Sequence, residues 1–191
     1  MDRVVCASSF TAKECVKIGI FTALIAVGAF IRVPVPVCPF TLQFLFTTLA
    51  GLVLGRRCGA MAVLAYVVLG LLGVPVFTAG GGPSYVFQPT FGYLIGFIIG
   101  AWVTGAWRER YGAASLKRLL AGNILNLVVV YALGMAYVYA INTFYLGTPI
   151  GLWPLVLYCF ILAIPGDLCI CIVSALLSSR SPSYFGLTRA I

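Results

Sequence analysis

The chain has 191 residues, of which 62% are hydrophobic and only 8% are charged. A soluble domain carries about 25% charged residues, so this composition excludes a soluble protein and predicts a single membrane domain over residues 1–191. The formal net charge is +8, but the basic residues form no stripe or basic helix, which argues against a nucleic-acid partner. The chain has no histidine, and its seven cysteines lack the spacings of metal, haem or redox sites.

Apolar segments predict an all-α membrane protein, a bundle of six transmembrane helices. The predicted spans, in chain order, are residues 16–31, 41–55, 58–72, 91–107, 116–140 and 153–178. A helix that crosses a bilayer needs about 17–25 residues. The second and third spans are shorter than that, so we expect interfacial residues to complete them.

The positions of Lys and Arg predict the orientation of the bundle. With six spans and residues 1–14 as a cytoplasmic N-terminal segment, eleven of the twelve basic residues are cytoplasmic, and only Arg32 is external. The positive-inside rule therefore predicts that both termini are cytoplasmic. The first apolar stretch also has features of a signal peptide, but its removal would leave five spans and destroy this asymmetry.

The predicted external loop, residues 73–90, has an unusual composition. It contains three consecutive glycines followed by Pro83, and then the aromatic residues Tyr85 and Phe87. Glycine lets a backbone approach a ligand closely, and proline restricts the backbone. A plain surface connection is normally shorter and more polar. These features favour a lid over a pocket, with a plain connection as the alternative.

Small residues predict close helix packing. A row of glycines at four-residue spacing runs along the fourth span: Gly92, Gly96 and Gly100. The first span has two neighbouring pairs of small residues, Gly19 with Ala23 and Thr22 with Ala26. Flat helix faces of this kind let helices approach closely in lipid. We expect the glycine row to pack internally, whereas the first helix is also suited to docking an external partner.

Asp167 is the candidate functional residue. It is the only Asp, Glu, Lys or Arg between Arg118 and Arg180. A carboxylate at the centre of a membrane helix costs about 2.5–3.5 kcal/mol, which predicts contact with a ligand or ion. Pro165 removes the usual helical donor for the Ile161 carbonyl, so backbone hydrogen-bonding groups are expected beside it.

Four other polar residues are predicted to lie near Asp167. Asn123 and Asn126 share one face of the fifth span, and Gln43 and Tyr93 begin the second and fourth spans. These groups are suited to a small polar ligand that enters from outside. The alternative is that they only join neighbouring helices, and for the two asparagines this alternative is favoured.

Catalytic motifs are missing from the sequence. It has no GxxxxGK[ST] motif for ATP hydrolysis, no histidine for a catalytic dyad, and no second acidic residue away from the charged flanks. We therefore expect a binding or transport protein and not an enzyme, with no cofactor and no metal.

Three segments carry a resemblance to a known family. They are "PFTLQFLFTTLAGLVLGRRCGAMAVLAYVVLGLLGVPVF", "GGGPSYVFQPTFGYLIGF" and the late "PGD". They resemble the BioY family, the biotin-specific S components of energy-coupling-factor (ECF) transporters, from about Thr22 to Leu177. The resemblance implies a multi-pass subunit of the cell membrane that captures biotin from outside. A transmembrane coupling protein and a pair of cytoplasmic ATPases would then be its partners.

The resemblance also implies residue roles. Asp167 is similar to the family aspartate that holds the ureido ring of biotin, a role that suits a carboxylate accepting paired N–H groups. The pocket wall and lid are implied at Thr90, Gly92 and Tyr93, and at the loop around Gly82 with Tyr85. The coupling motif AxxxA corresponds to Thr22 and Ala26, so threonine replaces one alanine.

The chain departs from the family pattern at two positions. Many relatives have a lysine where this chain has Ile170, and Phe91 replaces the first glycine of a PTGGYL segment. The missing lysine removes one cation from the site. Arg32, the lone external basic residue, is a candidate to bind the biotin carboxylate in its place. The alternative is an arginine that reaches from a helix end to the membrane surface.

Two other functions are consistent with the sequence. A stand-alone secondary transporter would couple the uptake of a small vitamin-like solute to protons through Asp167. The short chain and the lack of a recognisable inverted repeat argue against it. A purely structural scaffold would bind no small ligand saturably.

Overall fold

The computed structural model describes residues 10–33, 40–112, 115–147 and 151–180. Its α-helices are α1 (Ala12–Phe30), α2 (Gln43–Leu71), α3 (Phe91–Tyr111), α4 (Leu116–Ala140), α5 (Leu152–Val156) and α6 (Ile164–Arg180). Two π-helical segments, Ile141–Tyr145 and Leu157–Ile161, continue α4 and α5, and a 3₁₀ helix spans Pro83–Phe87. The all-α prediction is confirmed. Most of the predicted N-terminal segment 1–14 lies outside the described residues.

One short ribbon interrupts the helices. Strands β1 (Arg32–Val33) and β2 (Phe40–Thr41) pair antiparallel, with Arg32 opposite Thr41. The ribbon joins the end of α1 to the start of α2, so it sets the position of Thr41 and Gln43 at one end of the bundle.

Helix α1 begins earlier than predicted because of a capping box. The Thr11 backbone N–H donates to Glu14 Oε2 at 2.8 Å, and the Glu14 backbone N–H donates to Thr11 Oγ1 at 3.3 Å. This arrangement satisfies two donors that a helix start leaves unpaired. The backbone and side-chain hydrogen bonds with Thr11, helped by the charge of Lys17, hold the pKa of Glu14 below its usual value. The charged turn therefore joins the helix, which begins at Ala12 and not at Val16.

Helix α2 folds back on itself at Gly55, which separates the second and third predicted spans. Gly55 has φ 82° and ψ 176° inside the helix, a conformation that glycine adopts without strain. A Cβ added to Gly59 would lie 2.7 Å from the Ala50 carbonyl oxygen. In a straight helix these residues would be separated by about 13.5 Å. The two halves of α2 therefore pack against each other.

The glycine row on α3 packs against α4, as predicted. A Cβ added to Gly92 would lie 2.2 Å from Tyr137 Cβ, and one added to Gly96 would lie 3.0 Å from Val130 Cα. At Gly100 the added Cβ would lie 1.9 Å from the amide oxygen of Asn126. The missing side chains thus let α3 and α4 approach closely, as small residues do between membrane helices.

Three helical stretches among the described residues are long and apolar enough to cross a membrane. They are Gln43–Leu71, Leu116–Tyr145 and Trp153–Arg180. The first of them, Gln43–Leu71, is not straight, because its fold-back at Gly55 divides it into two shorter segments. Large apolar side chains such as Val128 (59% exposed) and Phe144 (85% exposed) lie on the outside of the bundle. A helix that is apolar on all sides is typical of a membrane span.

Arg108 ties three helices together at one end of the bundle. Its guanidinium is buried, and Nη1 donates to the Leu52 carbonyl and, at 3.0 Å, to Ser178 Oγ. Nearby, Arg56 forms an ion pair with Glu109 at 3.1 Å. The turn of α2, the end of α3 and the end of α6 therefore meet at the same end of the molecule.

Candidate ligand-binding site

A cavity opens into the bundle between α2, α3, α4, α6 and the loop 73–90. The space between the residues that line it, including its open mouth, is about 670 Å³. Most of its wall is aromatic or aliphatic. Five polar residues apart from tyrosines also line it: Thr41, Gln43, Thr78, Thr90 and Asp167.

Asp167 lies in the first turn of α6 and lines the cavity. It is only 7% exposed, and Tyr131 Oη donates to its Oδ2 at 2.5 Å. Within the described part of the chain, its Oδ1 accepts no hydrogen bond. A buried carboxylate oxygen of this kind can accept an N–H from a ligand, and a hydrogen bond to a charged group is stronger than a neutral one.

The helix that carries Asp167 is interrupted just before it. The Leu162 N–H donates to the Leu157 carbonyl at 3.1 Å, a π-helical bond, and the Ala163 N–H donates to Phe160 at 3.2 Å. Helix α6 then begins at Ile164, next to Pro165. The predicted span 153–178 is therefore a single helical stretch whose regular hydrogen bonding is interrupted once, at residues 157–163. Single π-helical turns of this kind occur often at functional sites.

Aromatic rings hold the Tyr131 hydroxyl in place. Tyr131 packs edge-on against Tyr93, with 6.1 Å between ring centroids, and against Phe160 at 5.5 Å. Gly134 makes room for Tyr93, since an added Cβ would lie 2.4 Å from its ring. The Tyr93 hydroxyl donates to the Cys159 carbonyl at 3.4 Å. Each ring is thus braced by α3, α4 or the π-helical segment.

The loop 73–90 contributes part of the cavity wall. Thr78 Oγ1, Tyr85 Oη and Thr90 Oγ1 form a chain of hydroxyls, with distances of 2.9 Å and 3.1 Å. Phe77 is 2% exposed and packs against the Tyr85 ring at 4.4 Å. A Cβ added to Gly70 would lie 2.1 Å from the Phe77 ring, so the glycine gives Phe77 its place. The loop is therefore anchored to α2 by a buried aromatic side chain.

Gln43 places an unpaired donor in the cavity. Its side chain is 3% exposed, and Nε2 has no hydrogen-bond partner among the described residues. The neighbouring Tyr66 hydroxyl donates to the Val76 carbonyl at 2.9 Å. A buried donor without a partner costs about 1–3 kcal/mol. A ligand acceptor at this position would remove that cost.

Five of the predicted site residues line the cavity: Asp167, Tyr93, Thr90, Tyr85 and Gln43. Gly82 and Gly92 do not line it. Gly82, with φ 113°, precedes the 3₁₀ helix and donates its N–H to the Gly70 carbonyl at 2.7 Å. Gly92 packs against Tyr137. Both glycines shape the backbone around the cavity and lie behind its wall.

Asn126 is not among the described residues that line the cavity. Its Nδ2 donates to Thr48 Oγ1 on α2 at 3.0 Å. Asn123 Nδ2 likewise donates to the Cys171 carbonyl and to Ser174 Oγ on α6, each at 2.9 Å. Both asparagines join neighbouring helices, which is the alternative that the sequence favoured for them.

Arg32 lies at the edge of the cavity and not in its wall. Its Nη1 donates to the backbone carbonyl of Thr78, and the side chain is exposed. Ile170, at the position of the family lysine, is buried in the hydrophobic core. Among the described residues, no lysine or arginine therefore lines the cavity.

The two residues predicted to contact a coupling protein face inward to different degrees. Thr22 is buried, and its Oγ1 donates to the Ala62 carbonyl at 3.0 Å and to the Ile18 carbonyl at 2.9 Å. Ala26 is partly buried against the core. The neighbouring pair, Gly19 and Ala23, is exposed. The small residues that α1 exposes are therefore Gly19 and Ala23, and not the predicted pair Thr22 and Ala26.

Sequence reasoning missed several cavity residues, above all Tyr131. Tyr131 is eight residues from Asn123 on α4, so helical spacing places both on one face. That spacing is the sequence feature from which Tyr131 could have been predicted. Phe77, Thr78 and Tyr158 also line the cavity, but they lie in irregular or π-helical segments where periodicity gives no signal.

Comparisons with known proteins agree with this architecture. The sequence matches the BioY family over residues 3–186. It is 44% identical over 176 residues to a probable biotin transporter BioY of Lysinibacillus sphaericus, covering 92% of this chain and 90% of the relative. It is 46% identical over 124 residues to the biotin transporter BioY of Thermotoga maritima, covering 64% and 72%.

A solved structure has a similar fold. It is the crystal structure of the S-component for biotin from an ECF-type ABC transporter, which superposes with a TM-score of 0.76 at 24% identity. The match covers 91% of this chain and 94% of the other. The fold-back in α2 and the cavity between the helices thus occur in a chain with the S-component fold. With the family match over almost its whole length, the chain belongs to the BioY family.

Proposed function

We propose that this chain captures biotin from outside the cell as the substrate-binding S component of an ECF-type transporter. In that role it is a transport subunit and not an enzyme, and partner ATPases hydrolyse ATP. One observation carries the proposal: the buried Asp167 carboxylate accepts a hydrogen bond from Tyr131 at one oxygen, and Asp167 is the only charged side chain among the described residues that line the cavity. The relatives named as biotin transporters supply the identity of the ligand.

The cavity chemistry matches the ureido ring of biotin. That ring is neutral and presents N–H donors on both sides of one carbonyl acceptor. Asp167 Oδ1 is the acceptor proposed for an N–H, and Gln43 Nε2 is the donor proposed for the carbonyl oxygen. The rings of Tyr93 and Tyr131 offer apolar surface to the sulfur-containing ring. Burial strengthens each of these hydrogen bonds, because water does not compete for them.

The carboxylate tail of biotin is proposed to lie toward the loop 73–90. The hydroxyls of Thr78, Tyr85 and Thr90 line the cavity there. Arg32 binds the Thr78 carbonyl, so a cation lies next to these hydroxyls. Since Ile170 is in the core, Arg32 is the candidate that replaces the family lysine.

The proposed topology is a single domain, residues 1–191, with six spans in the cell membrane. The two halves of α2 supply the second and third spans, and both termini are cytoplasmic. Two contacts support this arrangement, the ion pair of Arg56 with Glu109 and the hydrogen bond from Arg108 to Ser178. They hold the turn of α2, the end of α3 and the end of α6 together, and all three segments are predicted to be cytoplasmic. Loop 73–90 then lies outside and acts as the lid.

The proposed contact with the transmembrane coupling protein is the exposed small-residue face of α1. Gly19 and Ala23 form its centre, and the partly exposed Ala26 lies at its edge. Thr22 supports this face from behind through its hydrogen bond to Ala62 on α2. A flat face of this kind allows close approach between helices in lipid. A pair of cytoplasmic ATPases completes the proposed complex.

Equilibrium titration of the purified protein with three ligands tests the proposal. Biotin should bind saturably with one site per chain, and a biotin methylated on a ureido nitrogen should bind far more weakly. Biotinamide, whose carboxylate is capped, should lose less affinity than the methylated analogue. Absence of saturable biotin binding, or equal binding of biotin and the methylated analogue, would contradict the proposal.

A stand-alone proton-coupled transporter would also use a buried carboxylate. The family match does not favour it. Uptake in sealed vesicles separates the two: the proposed S component needs its ATPase partners and ATP, whereas a secondary transporter accumulates biotin alone in response to a proton gradient.

A further inference from the structure

A second concave surface lies far from the cavity, between the end of α3 and the start of α4. We call it the basic groove, and it is lined by Trp107, Arg110, Tyr111, Lys117, Arg118 and Ala121. None of these residues lines the cavity around Asp167. The groove therefore needs an explanation of its own.

The charge of the groove is positive and uncompensated. Arg110, Lys117 and Arg118 are exposed, and none of the described residues that line the groove is acidic. The neighbouring Glu109 is engaged by Arg56 at 3.1 Å. Across the described ranges, none of the three cations forms an ion pair. An anion in the groove would therefore meet three positive charges and no competing carboxylate.

The walls of the groove are held by specific contacts. The Trp107 indole lies on Gly122, where an added Cβ would be 2.7 Å from ring atom Cδ1. Trp107 Nε1 donates to the Arg118 carbonyl at 2.8 Å, and Arg118 Nη1 donates to the Tyr111 carbonyl at 3.2 Å. The rings of Trp107 and Tyr111 are 4.5 Å apart. The groove is thus a built feature of the helix corner, since its floor requires a glycine.

An apolar helix face continues directly from the groove. Helical spacing places Lys117 and Ala121 on the same face of α4 as Leu125 and Val128. Leu125 is 38% exposed and Val128 is 59% exposed. Trp and Tyr are enriched at the level of lipid headgroups. The order along this face, from cations and aromatic rings to aliphatic side chains, is therefore that of a phospholipid, from phosphate to acyl chain.

We infer that the basic groove binds the phosphate group of an anionic phospholipid, whose acyl chains lie along the exposed face of α4. Basic pockets between membrane helices bind anionic headgroups in this way. The inference rests on the proposed membrane embedding but not on biotin as the substrate. An acidic segment of a partner protein is the competing occupant. The lipid is favoured because the exposed apolar face of α4 extends two further turns beyond the groove. An acidic segment bound in the groove would leave this face uncovered, whereas acyl chains would cover it.

Fluorescence of Trp107 tests the inference at the site itself. The chain has three tryptophans, so Trp102→Phe with Trp153→Phe leaves Trp107 as the only reporter. This full-length protein is placed in bilayers that contain brominated phosphatidylglycerol or brominated phosphatidylcholine. Bromine on the acyl chain quenches a nearby tryptophan, and the ratio of the two quenching curves measures the preference for the anionic lipid. We expect a preference well above 10-fold at low salt, because three cations line the groove and each contributes about 5-fold.

Charge-removing variants separate the groove from general surface charge. Arg110→Gln with Lys117→Gln should reduce the preference to about 5-fold or less, because only Arg118 remains in the groove. Lys13→Gln with Arg180→Gln removes the same charge from exposed positions outside the groove and should leave the preference unchanged. Both double variants should bind biotin like the parent, so this outcome is independent of the proposed function.

Three results would overturn the inference. The first is equal quenching by the two lipids in the parent protein. The second is loss of the preference when inorganic phosphate is added at constant ionic strength, which would indicate a site for soluble phosphate. The third is an unchanged preference in the Arg110→Gln, Lys117→Gln variant, together with failure of that variant to assemble with the coupling protein. That result would identify the groove as a protein interface.

Discussion

Replacing Asp167 with asparagine tests the central contact of the site. The substitution keeps the shape of the side chain but removes its charge and turns one acceptor into a donor. In the structure Tyr131 donates to Oδ2 at 2.5 Å, and Oδ1 is left for the ligand. The expected effect is weaker biotin binding with the fold preserved.

The size of the loss depends on which way the new amide turns. If the Tyr131 hydroxyl reverses and accepts from the amide, the ligand N–H still meets an oxygen, and only the charge is lost. That outcome costs about 1 kcal/mol, or about 5-fold in Kd. If the amide nitrogen instead faces the ligand N–H, two donors meet in a buried site. The loss is then about 3 kcal/mol, or about 150-fold.

The measurement is isothermal titration of biotin into purified protein, with thermal unfolding of each variant as the check on folding. Tyr131→Phe and Tyr137→Phe form a matched pair on α4. Both tyrosine hydroxyls donate a hydrogen bond, but only Tyr131 lines the cavity. Tyr131→Phe should weaken biotin binding, and Tyr137→Phe should not. An unchanged Kd for a well-folded Asp167→Asn protein, or equal losses for the two tyrosine variants, would refute the reasoning.

Three further predictions concern packing, the second polar contact and the tail of the ligand. Gly100→Ala should destabilise the bundle by about 1–3 kcal/mol, because the added Cβ would lie 1.9 Å from the amide oxygen of Asn126. Gly19→Ala should not destabilise it, because its added Cβ would have no atom within 4 Å. Equal unfolding temperatures for the two variants would contradict this prediction. Gln43→Ala should weaken biotin binding about 5-fold or more, while Asn126→Ala should lower the unfolding temperature with little effect on the Kd for biotin. Titration and thermal unfolding of both variants test this pair. The reverse pattern would exclude the proposed roles. Arg32→Ala should weaken biotin more than biotinamide in parallel titrations, and equal losses would reject a contact with the carboxylate.

The sequence predicted the helices well where hydrophobicity is continuous. The predicted end of α4 at Ala140 and the start of α3 at Phe91 agree with the structure. The break between the second and third spans was also recognisable, because Gly55 and the arginines after it interrupt the apolar run. What the sequence did not predict is the geometry of that break, in which the helix folds back through one glycine with positive φ.

The site was only partly predictable. Asp167 was recognisable because a lone carboxylate in an apolar segment is costly, and Gln43 and Tyr93 because they begin spans. Asn126 does not line the cavity, because its position along α4 does not determine which neighbour its side chain faces. Rotation about the helix axis decides that, and it depends on the contact between Gly100 and the amide of Asn126.

The break in the helix just before Asp167 has a consequence for the energy of its charge. Because α6 starts at Ile164 inside the bundle, Asp167 occupies the positively polarised end of a helix dipole, in surroundings that contain little water. Such an end stabilises a carboxylate by about 0.3–1 kcal/mol at exposed sites and by up to about 2 kcal/mol when partly buried. That contribution offsets much of the cost of a membrane carboxylate. An uninterrupted helix through residues 153–180 would place the same side chain in mid-helix, without this compensation.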